Sequence, residues 1–180
     1  MKIKNRSTSI THLALACGAA LALCGSSGAW AQEKQRISYK VDAKNAKYPQ
    51  RHTLDVGDGP GHSLSLYEIH RTLPADGPKI NGVRIKEIWT RGYGDYIDNN
   101  GASHNYSVYM LENGDKFFTK ATTLGQANAA GRRSTSSFGE ITGGTGKLVN
   151  IRGTFRATGA SEGKVGMNQT QAEIEYWFAK

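Results

Sequence analysis

The stretch Ile141-Thr142-Gly143-Gly144-Thr145-Gly146-Lys147-Leu148-Val149-Asn150-Ile151-Arg152-Gly153 decides the fold. It lies between two runs that read as strands, Ser134–Glu140 and Gly153–Thr158. Four glycines at this density supply positive φ and close backbone approach without a Cβ penalty. A chain that ends one strand, turns a corner and enters the next needs such positions. A nucleotide-binding loop is the competing reading, and it fails on spacing. A Walker A loop ending at Gly146-Lys147 needs a glycine at position 141 and a hydroxyl at 148; Ile141 and Leu148 stand there. The dinucleotide fingerprint fails as well, because Gly144-Thr145-Gly146 needs a glycine where Val149 stands.

On the N-terminal side of the corner the chain reads as strands and turns. His62–Thr72 alternates, with Leu64, Leu66, Glu68 and His70 on one face and Ser63, Ser65, Tyr67, Ile69 and Arg71 on the other. Val83–Tyr93 puts Val83, Ile85, Glu87, Trp89, Arg91 and Tyr93 on one face, apolar at one end and charged-aromatic at the other. Gly92, Gly94, Asp95, Asn99, Asn100 and Gly101 predict a long polar loop. Asn113-Gly114, between Ser103–Glu112 and Asp115–Thr123, predicts a two-residue type I′ hairpin, with Glu112 and Lys116 paired beside it. Leu124–Arg133 has the composition of a short helical turn. Beyond the corner, Gly159–Gly166 reads as a loop and Met167–Phe178 as the last strand. Seven or eight short strands with no long amphipathic helix and no fixed repeat describe an antiparallel barrel or sandwich.

Gly143-Gly144-Thr145-Gly146-Lys147, followed by Ile151-Arg152-Gly153-Thr154, resembles the corner of the allene oxide cyclase and dirigent proteins. A looser likeness extends over Ser63–Phe178. That resemblance implies an all-β fold, a single antiparallel eight-stranded β-barrel (calycin-like), and it favours closure over a sandwich. Closure removes exposed strand edges, and eight strands leave room for packed side chains or one small ligand. The family's activities are cyclisation of a fatty-acid epoxide and steering of phenoxy-radical coupling. The shared motif is structural, so no catalytic residue is carried over from it. A homodimer or homotrimer is implied by the resemblance alone.

The first 31 residues read as a bacterial signal peptide. Lys2, Lys4 and Arg6 precede an apolar run from Leu13 to Leu23, and Ala29-Trp30-Ala31 gives a small-x-small cleavage site. The mature chain is expected to begin at Gln32, periplasmic or secreted, with no transmembrane span. A lipoprotein attached through Cys24 is the alternative, weakened by the large Leu23 before the cysteine. Residues 32–50 read as a polar N-terminal segment, holding a short strand around Ile37–Val41, and 51–180 as the barrel domain. Cys17 and Cys24 are the only cysteines, and both are in the leader. The mature protein therefore has neither a disulfide nor a cysteine metal site.

The whole chain carries a formal charge of +8, and the leader holds three bases and no acid, which leaves the mature chain at +5. Its basic residues are scattered, and only Arg132 and Arg133 adjoin among those of the barrel domain. Nucleic-acid binding calls for a concentrated patch interleaved with aromatics, so a soluble basic surface is the reading. Four histidines follow the leader, His52, His62, His70 and His104, without metal-ligand spacing, and no serine sits in a nucleophile elbow. No cofactor and no metal are expected.

The candidate site is a barrel mouth with an apolar floor and converging polar groups. Glu68, Arg91, Tyr93 and Tyr106 are the catalytic candidates; His70, Glu87, Trp89 and Tyr109 are the ligand-binding ones. A buried Glu68 or Glu87 would have a raised pKa and could move protons, Arg91 would hold a carboxylate or phenolate, and tyrosine would orient a phenolic oxygen. A one-residue slip of register turns every one of these side chains to the other face. The expected function is binding of a small apolar or aromatic molecule; the alternative is an isomerase, cyclase or lyase that works by confinement. A filled barrel that binds a protein through its exterior is the third. An ionisable pair buried in an open cavity favours the enzyme, an open apolar cavity favours binding, and a plugged interior favours the interaction protein.

Overall fold

The computed structural model describes residues 33–162 and 167–180. The leader, its cleavage site and Cys24 lie outside the described residues, as do residues 163–166, the second half of the expected loop at 159–166; its first half continues a strand to Glu162. The described residues fall within one unit, Gln32–Lys180. Its strands are β1 (Gln35–Val41), β2 (Ala46–Asp55), β3 (His62–Thr72), β4 (Lys79–Ile80), β5 (Val83–Ile97), β6 (Asn100–Leu111), β7 (Lys116–Ala127), β8 (Arg132–Gly144), β9 (Ile151–Glu162) and β10 (Met167–Phe178). Single 3₁₀ turns occupy Ala43–Asn45 and Gly146–Leu148.

The sheet runs β1-β10-β9-β8-β7-β6-β5-β3-β2, antiparallel at every step, with the two-residue β4 beside β5. Ten strands replace the eight expected, and no ladder joins the two end strands among the described residues. The difference has a simple origin. Eight reversals separate β1 from β2, so the two end strands run in the same sense, and only the Ala43–Asn45 turn lies between them. They act as two halves of one wall strand, β1 bonded to β10 and β2 bonded to β3. The Asn168 side-chain amide of β10 donates to the Tyr48 hydroxyl of β2 across the remaining gap. The polar stretch at 32–50 thus contributes β1 and the first half of β2 to the sheet.

One end of the rolled sheet is filled. Ile80, Ile85, Leu111, Phe117, Leu148, Ile151, Ile174 and Tyr176 form a fully buried cluster there. The glycine corner supplies part of it. Gly146 takes φ +54, the 3₁₀ turn folds inward, and Leu148 is left 1% exposed. The Asp115 carboxylate accepts from the Lys147 backbone N–H at 3.2 Å and the Thr145 hydroxyl from that of Lys116 at 2.9 Å, which ties the corner to β7.

Turn chemistry departs from expectation at three places. The type I′ hairpin sits at Asp98-Asn99, where both residues take positive φ (+51 and +64) and Ile97 pairs with Asn100. Strands occupy most of the region expected as loop, because asparagine and aspartate accept the left-handed conformation almost as glycine does. At Asn113-Gly114 only Gly114 is left-handed. The Leu111 N–H bonds the Asp115 carbonyl at 2.9 Å, which makes a three-residue loop with a glycine bulge. Glu112 pairs with Arg84 at 2.6 Å rather than with Lys116. Leu124–Arg133 is not helical; β7 continues to Ala127, and the Asn128 side chain accepts from the backbone N–H groups of Ala130 and Arg132 to close the β7–β8 turn.

Candidate ligand cavity

Above the apolar floor the barrel encloses a cavity of about 550 Å³, lined from β1, β2, β3 and every strand from β5 to β10. It exists because the inward wall positions are small. Ala121, Thr123, Ser137, Ala157 and Ser103 face it, and glycines stand where larger neighbours lie flat against the wall. The Tyr67 ring covers Gly92, where a Cβ would come within 2.7 Å of it. The Tyr96 hydroxyl end lies over Gly94, and the Arg133 guanidinium over Gly125. Exposed lining residues Arg51, Asn99, Ala130 and Gly131 mark the mouth.

The polar groups form two clusters. Near the floor, Arg71 Nη1 donates to the Thr90 hydroxyl at 3.3 Å, and Thr90 bonds the Ser107 hydroxyl at 2.8 Å. The Tyr39 hydroxyl donates to that of Tyr109 at 3.2 Å, and the Tyr109 ring stacks on Phe117 at 4.2 Å between centroids. Toward the mouth, the Tyr67 hydroxyl donates to the Asn105 carbonyl oxygen, and the Asn105 amide donates to the Thr123 hydroxyl at 2.7 Å. Thr123 in turn bonds the Ser137 hydroxyl at 2.7 Å. The Arg133 guanidinium stacks over the Tyr96 ring at 4.2 Å.

Three of these phenols, Tyr39, Tyr67 and Tyr109, are held protonated. Burial pushes Tyr67 up to about 12, with the hydrogen bond to Ser103 opposing. Burial likewise raises Tyr39 well above its ordinary value, reinforced by Tyr109, while the Arg71 charge pulls the other way. Tyr109 also rises, through burial, against hydrogen bonds with Tyr39 and Thr119. A phenol that loses its proton only in strong alkali is a hydrogen-bond donor at neutral pH.

Of the eight residues singled out in the sequence, Tyr109 alone lines the cavity. Glu68 and Arg91 form a cross-strand ion pair at 2.7 Å, with the Arg91 side chain 59% exposed. Tyr93 and Tyr106 are 54% and 53% exposed. His70 stacks on Trp89 at 4.0 Å and bonds Glu87 at 2.8 Å, and the Trp89 indole N–H reaches the same carboxylate at 3.3 Å. These seven side chains project from the face opposite Tyr67, Ile69 and Arg71. On β3 the two faces are grouped as the sequence implied, but the inward one is Ser65, Tyr67, Ile69 and Arg71. On β5 the cause is a bulge. The register shifts between Ile85 and Glu87, so Ile85 points in and Glu87, Trp89, Arg91 and Tyr93 point out. Burial acts to raise Glu87, but hydrogen bonds from His70 and Trp89, with the Lys86 charge nearby, outweigh it and hold the carboxyl below its usual range.

The residues missed were Arg71, Arg133, Tyr67, Tyr96 and Asn105. Their signal in the sequence was the alternation of small residues and glycine with large ones on the second face, as in Gly92-x-Gly94-x-Tyr96. Arg133 read as surface charge because it adjoins Arg132. Among the described residues no group of three or more His, Cys, Asp or Glu side chains is placed to hold a metal ion, and no helix is long and apolar enough to cross a membrane.

No protein-family model matches the chain, and no curated protein matches it. Among solved structures the chain is similar to the pterocarpan synthase dirigent protein GePTS1, at 12% identity and a TM-score of 0.47, over 93% of this chain and 100% of that one. It is also similar to the pterocarpan synthase dirigent protein PsPTS1, at 16% identity and a TM-score of 0.41, over 82% of this chain and 97% of the other.

Proposed function

We propose that this is an exported binding barrel that takes one small aromatic molecule into its interior. The observation that carries the reading is the cavity of about 550 Å³ above a plugged apolar floor, a volume in the range of ordinary ligand pockets. Protonated phenols and hydroxyls give it hydrogen-bond donors, and the rings of Tyr67, Tyr96 and Tyr109 give it aromatic faces. Its lining holds no carboxylate or histidine among the described residues. A wall of donors without an acid–base pair favours holding a molecule over transferring its protons. Export rests on the leader sequence, and assembly as a homodimer or homotrimer belongs to the same proposal. Leu66, Tyr93 and Phe138 lie exposed along one cross-strand row of the outer face, where a second copy would cover them.

The test is a cavity block. Ala121 lines the cavity and is buried. Ala121→Phe fills the space, whereas Lys120→Ala alters only the exposed neighbour. Small neutral aromatics, phenol and benzamide among them, are expected to raise the melting temperature of the wild type and of Lys120→Ala but not of Ala121→Phe. Equal shifts in all three would place binding outside the barrel and overturn the reading.

A further inference from the structure

Four buried side-chain polar atoms have no hydrogen-bond partner among the described residues: Ser65 Oγ, Arg71 Nε, and Nε and Nη2 of Arg133. All belong to residues that line the cavity described above. Buried donors are nearly always satisfied, and a guanidinium withdrawn from water without a counter-charge costs several kcal/mol. Three arginines line this space, Arg51 at the mouth and Arg71 and Arg133 within, and no carboxylate among the described residues lines it to answer them. Elsewhere the protein pairs its arginines readily: Arg36 with Glu173 and Glu175, Arg84 with Glu112, Arg91 with Glu68. Arg132, Arg152 and Arg156 form no ion pair among the described residues either, but they are exposed to water, whereas Arg71 and Arg133 are partly withdrawn from it and face the cavity.

Resting on the binding reading above, we infer that the ligand is an aromatic acid whose carboxylate answers the unpaired charge of Arg133, with Arg71 as a second cationic anchor deeper in the cavity. The geometry suits that class. The Nε–Nη2 edge of Arg133 is enclosed against Gly125, but its delocalised charge stands at the cavity wall, and a guanidinium recognises a carboxylate by charge-assisted hydrogen bonds. The Arg133 plane is already fixed by the Tyr96 ring at 4.2 Å, so little freedom is lost when an anion docks. Tyr67, Tyr48 and Tyr96 line the same cavity as Arg133, which offers faces for an aromatic body. A long aliphatic acid is a poorer match. Beyond Val41, Ile69, Ile88 and Phe155 the large side chains of the lining are phenols and arginines, and the rest are mainly hydroxyls and alanines.

The experiment is calorimetric titration of the wild type, Arg133→Gln, Arg71→Gln and the outer-face control Arg91→Gln. The probes are benzoate, 4-hydroxybenzoate, benzamide, dodecanoate and inorganic phosphate, and circular dichroism confirms that each variant is folded. Wild type and Arg91→Gln are expected to bind the aromatic carboxylates at least ten-fold more tightly than benzamide. Arg133→Gln should erase that preference while leaving benzamide affinity within two-fold, and Arg71→Gln should reduce it. Equal affinity for benzoate and benzamide, or an acid preference that survives Arg133→Gln, would overturn the inference and leave the binding barrel standing. Tighter binding of dodecanoate or of phosphate than of either aromatic acid would overturn the ligand class. Failure of every aromatic probe, neutral and anionic, would count against both.

Discussion

Replacing Leu148 by alanine should unseat the floor of the barrel. Leu148 is 1% exposed, sits in the buried cluster and is delivered there by the glycine corner. Leucine to alanine removes three carbon atoms, and at about 0.8 kcal/mol per buried methylene the transfer loss is about 2.4 kcal/mol. The cavity left behind adds to this, since Gly144 and Ile151 are held by their own strands and cannot collapse fully, so a total of about 3 kcal/mol is expected. With a urea m-value of roughly 2 kcal/mol/M for a domain of this size, the unfolding midpoint should fall by roughly 1.5 M. The next residue is the control. Val149 is 56% exposed, and Val149→Ala should stay within about 0.5 kcal/mol of wild type. Equal effects at 148 and 149, or a loss below about 1 kcal/mol at 148, would refute the claim that the corner plugs the barrel.

Gly144→Ala should also destabilise, by about 1–3 kcal/mol in urea unfolding, because its Cβ would stand 2.8 Å from that of Leu148 and 3.0 Å from Ile151 Cγ2. His62 should titrate above the ordinary histidine value, raised by its hydrogen bonds to Asp58 and Asp95 against a smaller opposing effect of desolvation. Its contribution to stability is then fully present below the unfolded pKa of about 6.5 and disappears as pH rises through the folded value. Proton NMR titration reads the shift, and Asp58→Asn with Asp95→Asn should abolish it. Ultraviolet titration of the phenols should leave Tyr39, Tyr67 and Tyr109 un-ionised at pH values where exposed tyrosines have already lost their protons, and release them only on alkaline unfolding. Early, reversible ionisation of all eight tyrosines would contradict the burial described.

The corner was legible because glycine and one buried leucine leave few alternatives: φ of +54 at Gly146 and an inward Leu148 follow from the same few residues. The strands at His62–Thr72 and Met167–Phe178 were legible from alternation, and both match to the residue. The site was harder to read for a physical reason. Alternation groups residues into two faces but does not say which face is inward when both mix apolar and polar groups, as β3 does. Leu64 and Leu66 suggested a core face, yet both are exposed, and Ser65 and Tyr67 face the cavity. The bulge at Ile85–Glu87 reverses the faces of β5 with no glycine or proline to announce it. The hairpin at Asp98-Asn99 was hidden for a related reason, since a tight turn and a long loop draw on the same residue types. The eighth wall strand, split between β1 and β2, left only fragments too polar to show a pattern.

The most direct measurement is native mass spectrometry of the mature protein purified gently from its own cells, repeated after denaturation. The account predicts a folded species heavier than its polypeptide by one small molecule per chain, an adduct lost on denaturation and reduced in Ala121→Phe. The same spectra report the oligomer and whether the leader has been removed. A mass equal to the bare polypeptide in every preparation, for wild type and Ala121→Phe alike, would contradict the claim that the barrel holds a ligand.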